Sequence, residues 1–140
     1  MRHTEQTVSD VMCTELIVVT DCETLNHADA DMRLSDIRHL PVIDDEQQLC
    51  GILSDRDIYK ALARPGKSTV LVSDVMTRDV ITLPPEAPLR EITALMLDHK
   101  VGAAPVVNAD GELVGIVTET DILRIAHSLL GGDVMAVPEH

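Results

Sequence analysis

Apolar positions along the chain alternate between strand-like runs and helix-like spacing, and they do so twice. Leu16-Ile17-Val18-Val19 and Val80-Ile81-Thr82-Leu83 are branched runs of strand length. After Pro88, the residues Leu89, Ile92, Leu95 and Met96 recur at helical spacing. The matching helix of the first half is more polar (Asn26, His27, Asp29, Asp31), with a predicted core face of Leu25, Ala28, Met32 and Leu34. Two strands around a polar turn follow in each half. They are Leu40–Ile43 with Cys50–Leu53, and Ala104–Val107 with Val114–Val117. Asp110-Gly111 is a hairpin signal between the second two. A closing helix is predicted to start near Ser54 or Thr118, burying Ile58 and Leu62 in one half and Ile122, Ile125 and Leu129 in the other. Ser9 and Ser73 suit the N-cap of a short opening helix.

The repetition is a duplication. Val8-Ser9-Asp10-Val11-Met12 recurs as Val72-Ser73-Asp74-Val75-Met76, and an ungapped offset of 64 then aligns Ile17 with Ile81, Met32 with Met96, Pro41 with Pro105 and Gly51 with Gly115. The predicted organisation is a first repeat with its N-terminal segment (1–64), a linker (65–71), a second repeat (72–130) and a C-terminal tail (131–140). Each repeat reads β-α-β-β-α. So small a sheet leaves an apolar face open, and the equivalent face of the other repeat is the simplest cover. The expected fold class is therefore α+β: two pseudo-symmetric repeats packed through their small sheets.

Composition narrows the partners. The 140 residues carry a net charge of −13, which disfavours nucleic acid and anionic membranes as partners and makes the few local cations informative. With no Trp or Phe and a single Tyr, the core must be aliphatic. Three cysteines without a CxxC suggest neither a disulfide framework nor a zinc site. No run reaches transmembrane length and no signal-peptide stretch is apparent, so a cytoplasmic location is expected.

At the junction into each closing helix the chain reads Gly51-Ile52-Leu53-Ser54-Asp55-Arg56-Asp57-Ile58 and Gly115-Ile116-Val117-Thr118-Glu119-Thr120-Asp121-Ile122. Arg38-His39-Leu40-Pro41-Val42 precedes the first. A Pro-Val followed by Gly-x-x-Ser/Thr-x-x-Asp-Ile, twice in register over about residues 8–128, resembles the cystathionine-β-synthase (CBS) domain. The resemblance implies a CBS pair, a homodimer, and an adenine nucleotide (AMP, ADP or ATP) held between the repeats, with Asp57 or Asp121 on the ribose and Ser54 or Thr118 near the phosphate. It also places Val80, Ile81 and Val101 around the base of the first site, and the aligned Leu16, Ile17 and Ile37 around that of the second.

The chemistry of these residues agrees. A helix N-terminus attracts phosphate, a hydroxyl can donate to it, and a carboxylate can accept from both ribose hydroxyls. Gly51 and Gly115 would let a ligand approach the backbone, and small aliphatics such as Ile81 and Ala103 suit a flat base. The same residues also fit a purely structural role, because Ser54-x-x-Asp57 and Thr118-x-x-Asp121 have capping-box spacing. The halves differ in charge. Arg38, His39 and Arg56 surround the first junction, while the aligned Gly102, Ala103 and Thr120 are uncharged. The first site is thus expected to prefer phosphorylated ligands, with a pH-dependent contribution from His39.

Other signals point to packing. Met12, Met32, Met76 and Met96 occupy repeated positions and are read as core, and the six histidines show no metal-ligand motif, so no metal is expected. Arg64-Pro65-Gly66-Lys67-Ser68 lacks the earlier glycine of a P-loop. No catalytic constellation is evident. The expected function is a non-catalytic, energy-sensing regulatory module with no obligatory cofactor, signalling to an unknown protein target or through its own dimer. The alternatives are an interaction module with unoccupied clefts, or an S-adenosylmethionine binder.

Overall fold

The computed structural model describes residues 6–64 and 69–132; most of the predicted linker and tail lie outside them. In chain order the elements are α1 (Val8–Val11), β1 (Val19–Thr20), α2 (Leu25–Ser35), β2 (His39–Ile43), β3 (Leu49–Ser54), α3 (Asp55–Leu62), α4 (Val72–Val75), α5 (Leu89–Asp98), β4 (Ala103–Val107), β5 (Leu113–Thr118) and α6 (Glu119–Leu129). The fold is α+β, built from two copies of one pattern.

The sequence repeats and the compact units do not coincide. One unit is 17–80; the other combines the described residues before Ile17 with those after Val80. The opening helix of each repeat therefore packs with the hairpin of the other repeat. In the first unit, β2 pairs antiparallel with β3 and parallel with β1, and Thr77 adds a bridge to Ile52 on the outer side of β3. In the second unit, β4 pairs antiparallel with β5, Leu83 bridges parallel to Val106, and Cys13 bridges Ile116. The hydrogen bonds repeat as well. Val72 N donates to Glu23 O at 2.9 Å and Val8 N to Ala87 O at 2.8 Å.

The predicted first strands shorten to Val19–Thr20 in one unit and the single Leu83 bridge in the other. Proline explains the stop. Leu83 N donates to Pro105 O at 3.1 Å and Val107 N to Leu83 O at 2.9 Å. The next bond of that parallel ladder would need an N–H from Pro105, which has none; Pro41 imposes the same end on β1. Both hairpins turn on a side-chain oxygen. Asp44 Oδ1 accepts from Glu46 N and Gln48 N, and Asn108 Oδ1 from Asp110 N and Glu112 N. The left-handed residue falls at the aligned positions Gln47 (φ 66°) and Gly111 (φ 82°).

The core of unit 17–80 includes Leu25, Leu40, Val42, Leu53, Ile58 and Met76. Its counterpart includes Val8, Ile92, Ala104, Val106 and Val117. Several predicted core positions are corrected. Leu34 is 85% exposed, because it lies two residues beyond Met32 and so on the opposite side of α2. Leu62 and Leu129, each the last residue of its helix, are exposed and Ile125 is half-buried, whereas the half-buried Ile122 packs against the core as expected. Ser9 and Ser73 lie inside α1 and α4; the caps are Thr7 and Leu71, whose N–H groups donate to Asp10 Oδ2 and Asp74 Oδ2.

Candidate functional site

Hairpin register assembles the first junction. His39 and Ser54 are cross-strand partners, and Asp55 N donates to Arg38 O at 2.9 Å. Arg38, His39, Ser54, Arg56 and Asp57 therefore gather at the end of β2–β3 where α3 begins. Ser54 is the N-cap. Its Oγ accepts from Asp57 N at 3.1 Å, while its own N–H donates to Asp57 Oδ2 at 3.0 Å. The capping role is thus real, but it leaves chemistry over. The Ser54 hydroxyl proton is not used in the cap, and Asp57 Oδ1 takes no hydrogen bond among the described residues. Both side chains are half-buried.

Arg38 and Arg56 are exposed and make no ion pair among the described residues, whereas Arg33 is engaged by Asp29 at 3.2 Å. Two guanidinium groups thus stand beside a helix N-terminus whose first turn also carries Asp55 and Asp57, on an acidic chain.

The second junction has the same backbone and different chemistry. Ala103 pairs with Thr118, and Glu119 N donates to Gly102 O at 3.1 Å. Thr118 N donates to Asp121 Oδ2 at 2.8 Å, and the Thr118 hydroxyl also turns to that oxygen at 3.3 Å. Its proton is therefore engaged, unlike that of Ser54. Thr120 is exposed on the first turn of α6.

The residues expected to wall a base divide between the units. Val80, Ile17 and Ile37 belong to unit 17–80, and Ile81, Val101 and Leu16 to the other. Ile17 is 36% exposed, and Leu16, Ile37, Val80, Ile81 and Val101 are half-buried. Ala103 is buried.

One expectation is overturned. Gly51 and Gly115 were expected to admit a ligand to the backbone, but the space above each is filled by a methionine. A Cβ on Gly51 would stand 2.5 Å from Met76 Sδ, and one on Gly115 2.5 Å from Met12 Sδ. The sequence carried a signal for this, since Gly-x-x-Ser/Thr and Val-Ser-Asp-Val-Met repeat at the same offset. Pattern alone does not pair a glycine with a methionine from the other repeat.

Burial pushes the Cys50 thiol above its ordinary value of 9.0, Asp21 and Asp44 push it further, and Arg78 opposes them.

The CBS-domain family model matches residues 8–64 and 72–128. The chain belongs to the CBS domain family. This CBS pair is similar to the solved CBS domain pair of protein MJ0100 in complex with 5′-methylthioadenosine and S-adenosyl-L-methionine. The identity is 29%, 90% of this chain and 99% of that one are covered, and the TM-score is 0.83. It is also similar to CBSX2 in complex with AMP (30% identity, 89% and 98% covered, TM-score 0.74). Among curated proteins it matches the inosine-5′-monophosphate dehydrogenase of Methanocaldococcus jannaschii at 35% identity, over 82% of this chain and 22% of that enzyme. The chain spans less than half the length of the first curated relatives it matches. Among the described residues no helix is long and apolar enough to cross a membrane.

Proposed function

We propose that this CBS pair is a non-catalytic regulatory module that binds an adenine nucleotide at the Ser54–Asp57 junction. The observation that carries the reading is the uncommitted hydrogen-bonding set at one end of β2–β3: a donor hydroxyl proton on Ser54, an acceptor oxygen on Asp57, and Arg38 and Arg56, which make no ion pair among the described residues. Phosphate is the ligand group that uses a helix N-terminus, a hydroxyl and two guanidinium groups together. Asp57 takes the ribose, and Val80, Ile81 and Val101 border the base. The Thr118–Asp121 junction, with Thr120 beside it and Leu16, Ile17 and Ile37 as its apolar border, is the weaker site for phosphorylated ligands. The module acts in the cytoplasm and signals energy state through its own homodimer or a protein target.

The similar structure with S-adenosyl-L-methionine favours a second reading for the less charged junction, an adenosyl ligand without phosphate. Isothermal titration of the full chain with AMP, ADP, ATP, adenosine and S-adenosylmethionine tests both. AMP binding tighter than adenosine is expected. Absence of saturable binding by all five would leave an interaction module instead, and ligand turnover on product analysis would make the chain an enzyme.

A further inference from the structure

The start of α2 carries a group of side chains that the nucleotide reading does not use. His27 and Asp31 are four apart on one face of α2, and Glu23 stands just before its N-cap Thr24, four residues ahead of His27. His27 Nε2 lies 3.1 Å from Glu23 Oε2 and 3.5 Å from Asp31 Oδ2, and the three ligand atoms all fall within 4.8 Å of one another. Donor atoms on one tetrahedral Zn²⁺, with bonds of about 2.0–2.2 Å, are separated by about 3.3–3.6 Å. The two separations from His27 Nε2, 3.1 and 3.5 Å, are close to those of a ligand set.

The two oxygens of Glu23 are used differently. Oε1 accepts from Thr20 N at 3.2 Å and from Thr20 Oγ1 at 3.3 Å. The Oε2 atom is shut off from solvent, although the side chain as a whole is 28% exposed, and among the described residues it meets only His27 Nε2, at ion-pair distance and without a hydrogen bond. A buried carboxylate oxygen whose one neighbour is a neutral imidazole nitrogen keeps an unmet electrostatic demand. A cation between Oε2, Nε2 and Asp31 Oδ2 meets it. The backbone is fixed at this point as well. Glu23 O accepts from Val72 N at 2.9 Å, and Thr24 caps α2 through its hydroxyl to His27 N at 3.2 Å. The nearby Arg33 is held by Asp29 and does not compete for the two carboxylates.

We propose that Glu23, His27 and Asp31 bind a divalent transition metal, with Zn²⁺ as the best match to one imidazole and two carboxylates. Three protein ligands leave a fourth position for water or an external ligand. Thr20 orients Glu23 from outside the ligand set, as outer partners do in metal sites. Side-chain exposures of 60% at His27 and 30% at Asp31 give the ion a path from solvent.

The test uses the full chain, stripped with a chelator and titrated with Zn²⁺ against a chelating fluorophore. The expected result is one site per chain that His27→Gln abolishes while circular dichroism stays unchanged. Thr20→Ala should weaken it about 10–100-fold. His99→Gln and His127→Gln should leave it intact. X-ray absorption should show one imidazole and oxygen donors. No Zn²⁺ binding by the wild type, or a site that survives His27→Gln at wild-type affinity, overturns the proposal. Neither outcome touches the nucleotide reading, which rests on other residues.

Discussion

Met76 lies over Gly51 so closely that a single added carbon has no room: a Cβ on Gly51 would meet Met76 Sδ at 2.5 Å and Thr77 O at 3.0 Å. The methionine comes from the opening helix of the second repeat and the glycine from the hairpin of the first. The contact therefore fastens the exchanged segment to its unit, alongside the paired bonds between Ile52 and Thr77. Gly51→Ala should cost about 1–3 kcal/mol by overpacking. Met76→Ala should relieve part of that cost, so that the double variant is more stable than additivity predicts. Chemical denaturation of the four proteins gives the answer, and strict additivity would show that the strand yields without involving Met76.

Asp57 serves both cap and ligand in the proposed site, and two substitutions separate these roles. Asp57→Asn keeps an oxygen to accept from Ser54 N; Asp57→Ala removes it and should lose about 1 kcal/mol of stability. Adenosine affinity should fall in both, because the charge is lost in both. A folded Asp57→Asn protein with wild-type adenosine affinity would remove Asp57 from the ribose.

The asymmetry between the junctions is testable by charge. Changing Arg38 and Arg56 together to Gln should weaken AMP by about 10–100-fold, the equivalent of losing charged hydrogen bonds worth about 1.5–3 kcal/mol. Adenosine should be unaffected, and Thr118→Ala should matter less to AMP than the double change. Equal weakening of AMP and adenosine would assign the arginines to the shape of the site rather than to phosphate.

Thiol reactivity should follow exposure. Cys22 is exposed, while Cys50 is half-buried and held above its ordinary pKa. At pH 8 alkylation should label Cys22 first, with Cys50 slower than in the urea-unfolded chain. The raised value means the folded state keeps this thiol neutral. That contribution to stability is present below about pH 9 and is lost as pH rises through the raised value. Faster labelling of Cys50 than Cys22 by mass spectrometry would contradict the burial.

Each unit leaves large apolar side chains in solvent: Tyr59 and Leu62 on α3 of one, Leu123 and Leu129 on α6 of the other. These side chains are the ones the proposed homodimer would draw on for its apolar contact. A homodimer burying more than about 1,000 Å² is expected, and light scattering at micromolar concentration should report twice the chain mass. A monomer mass would exclude it.

Much of this was legible in the chain itself. The 64-residue register, the hairpins, the closing helices and the Ser54 and Asp57 positions follow from local pattern, because strand alternation, helical spacing and capping are set by neighbours in sequence. The turn at Asp44 and Asn108 has the same local origin. What the tertiary structure decided is everything that depends on a partner distant in the chain. Pro41 and Pro105 end the parallel ladder only because β1 and Leu83 lie alongside them. Gly51 is filled by Met76 only because the opening segments exchange units. Leu34 looks like core in a list of apolar residues but faces water, since one helix has one buried side. The Glu23–His27–Asp31 group reads in sequence as ordinary charge on a polar helix. Only the fold shuts Glu23 Oε2 away from water and turns it toward His27, because burial is a property of the packed chain and not of the spacing along it.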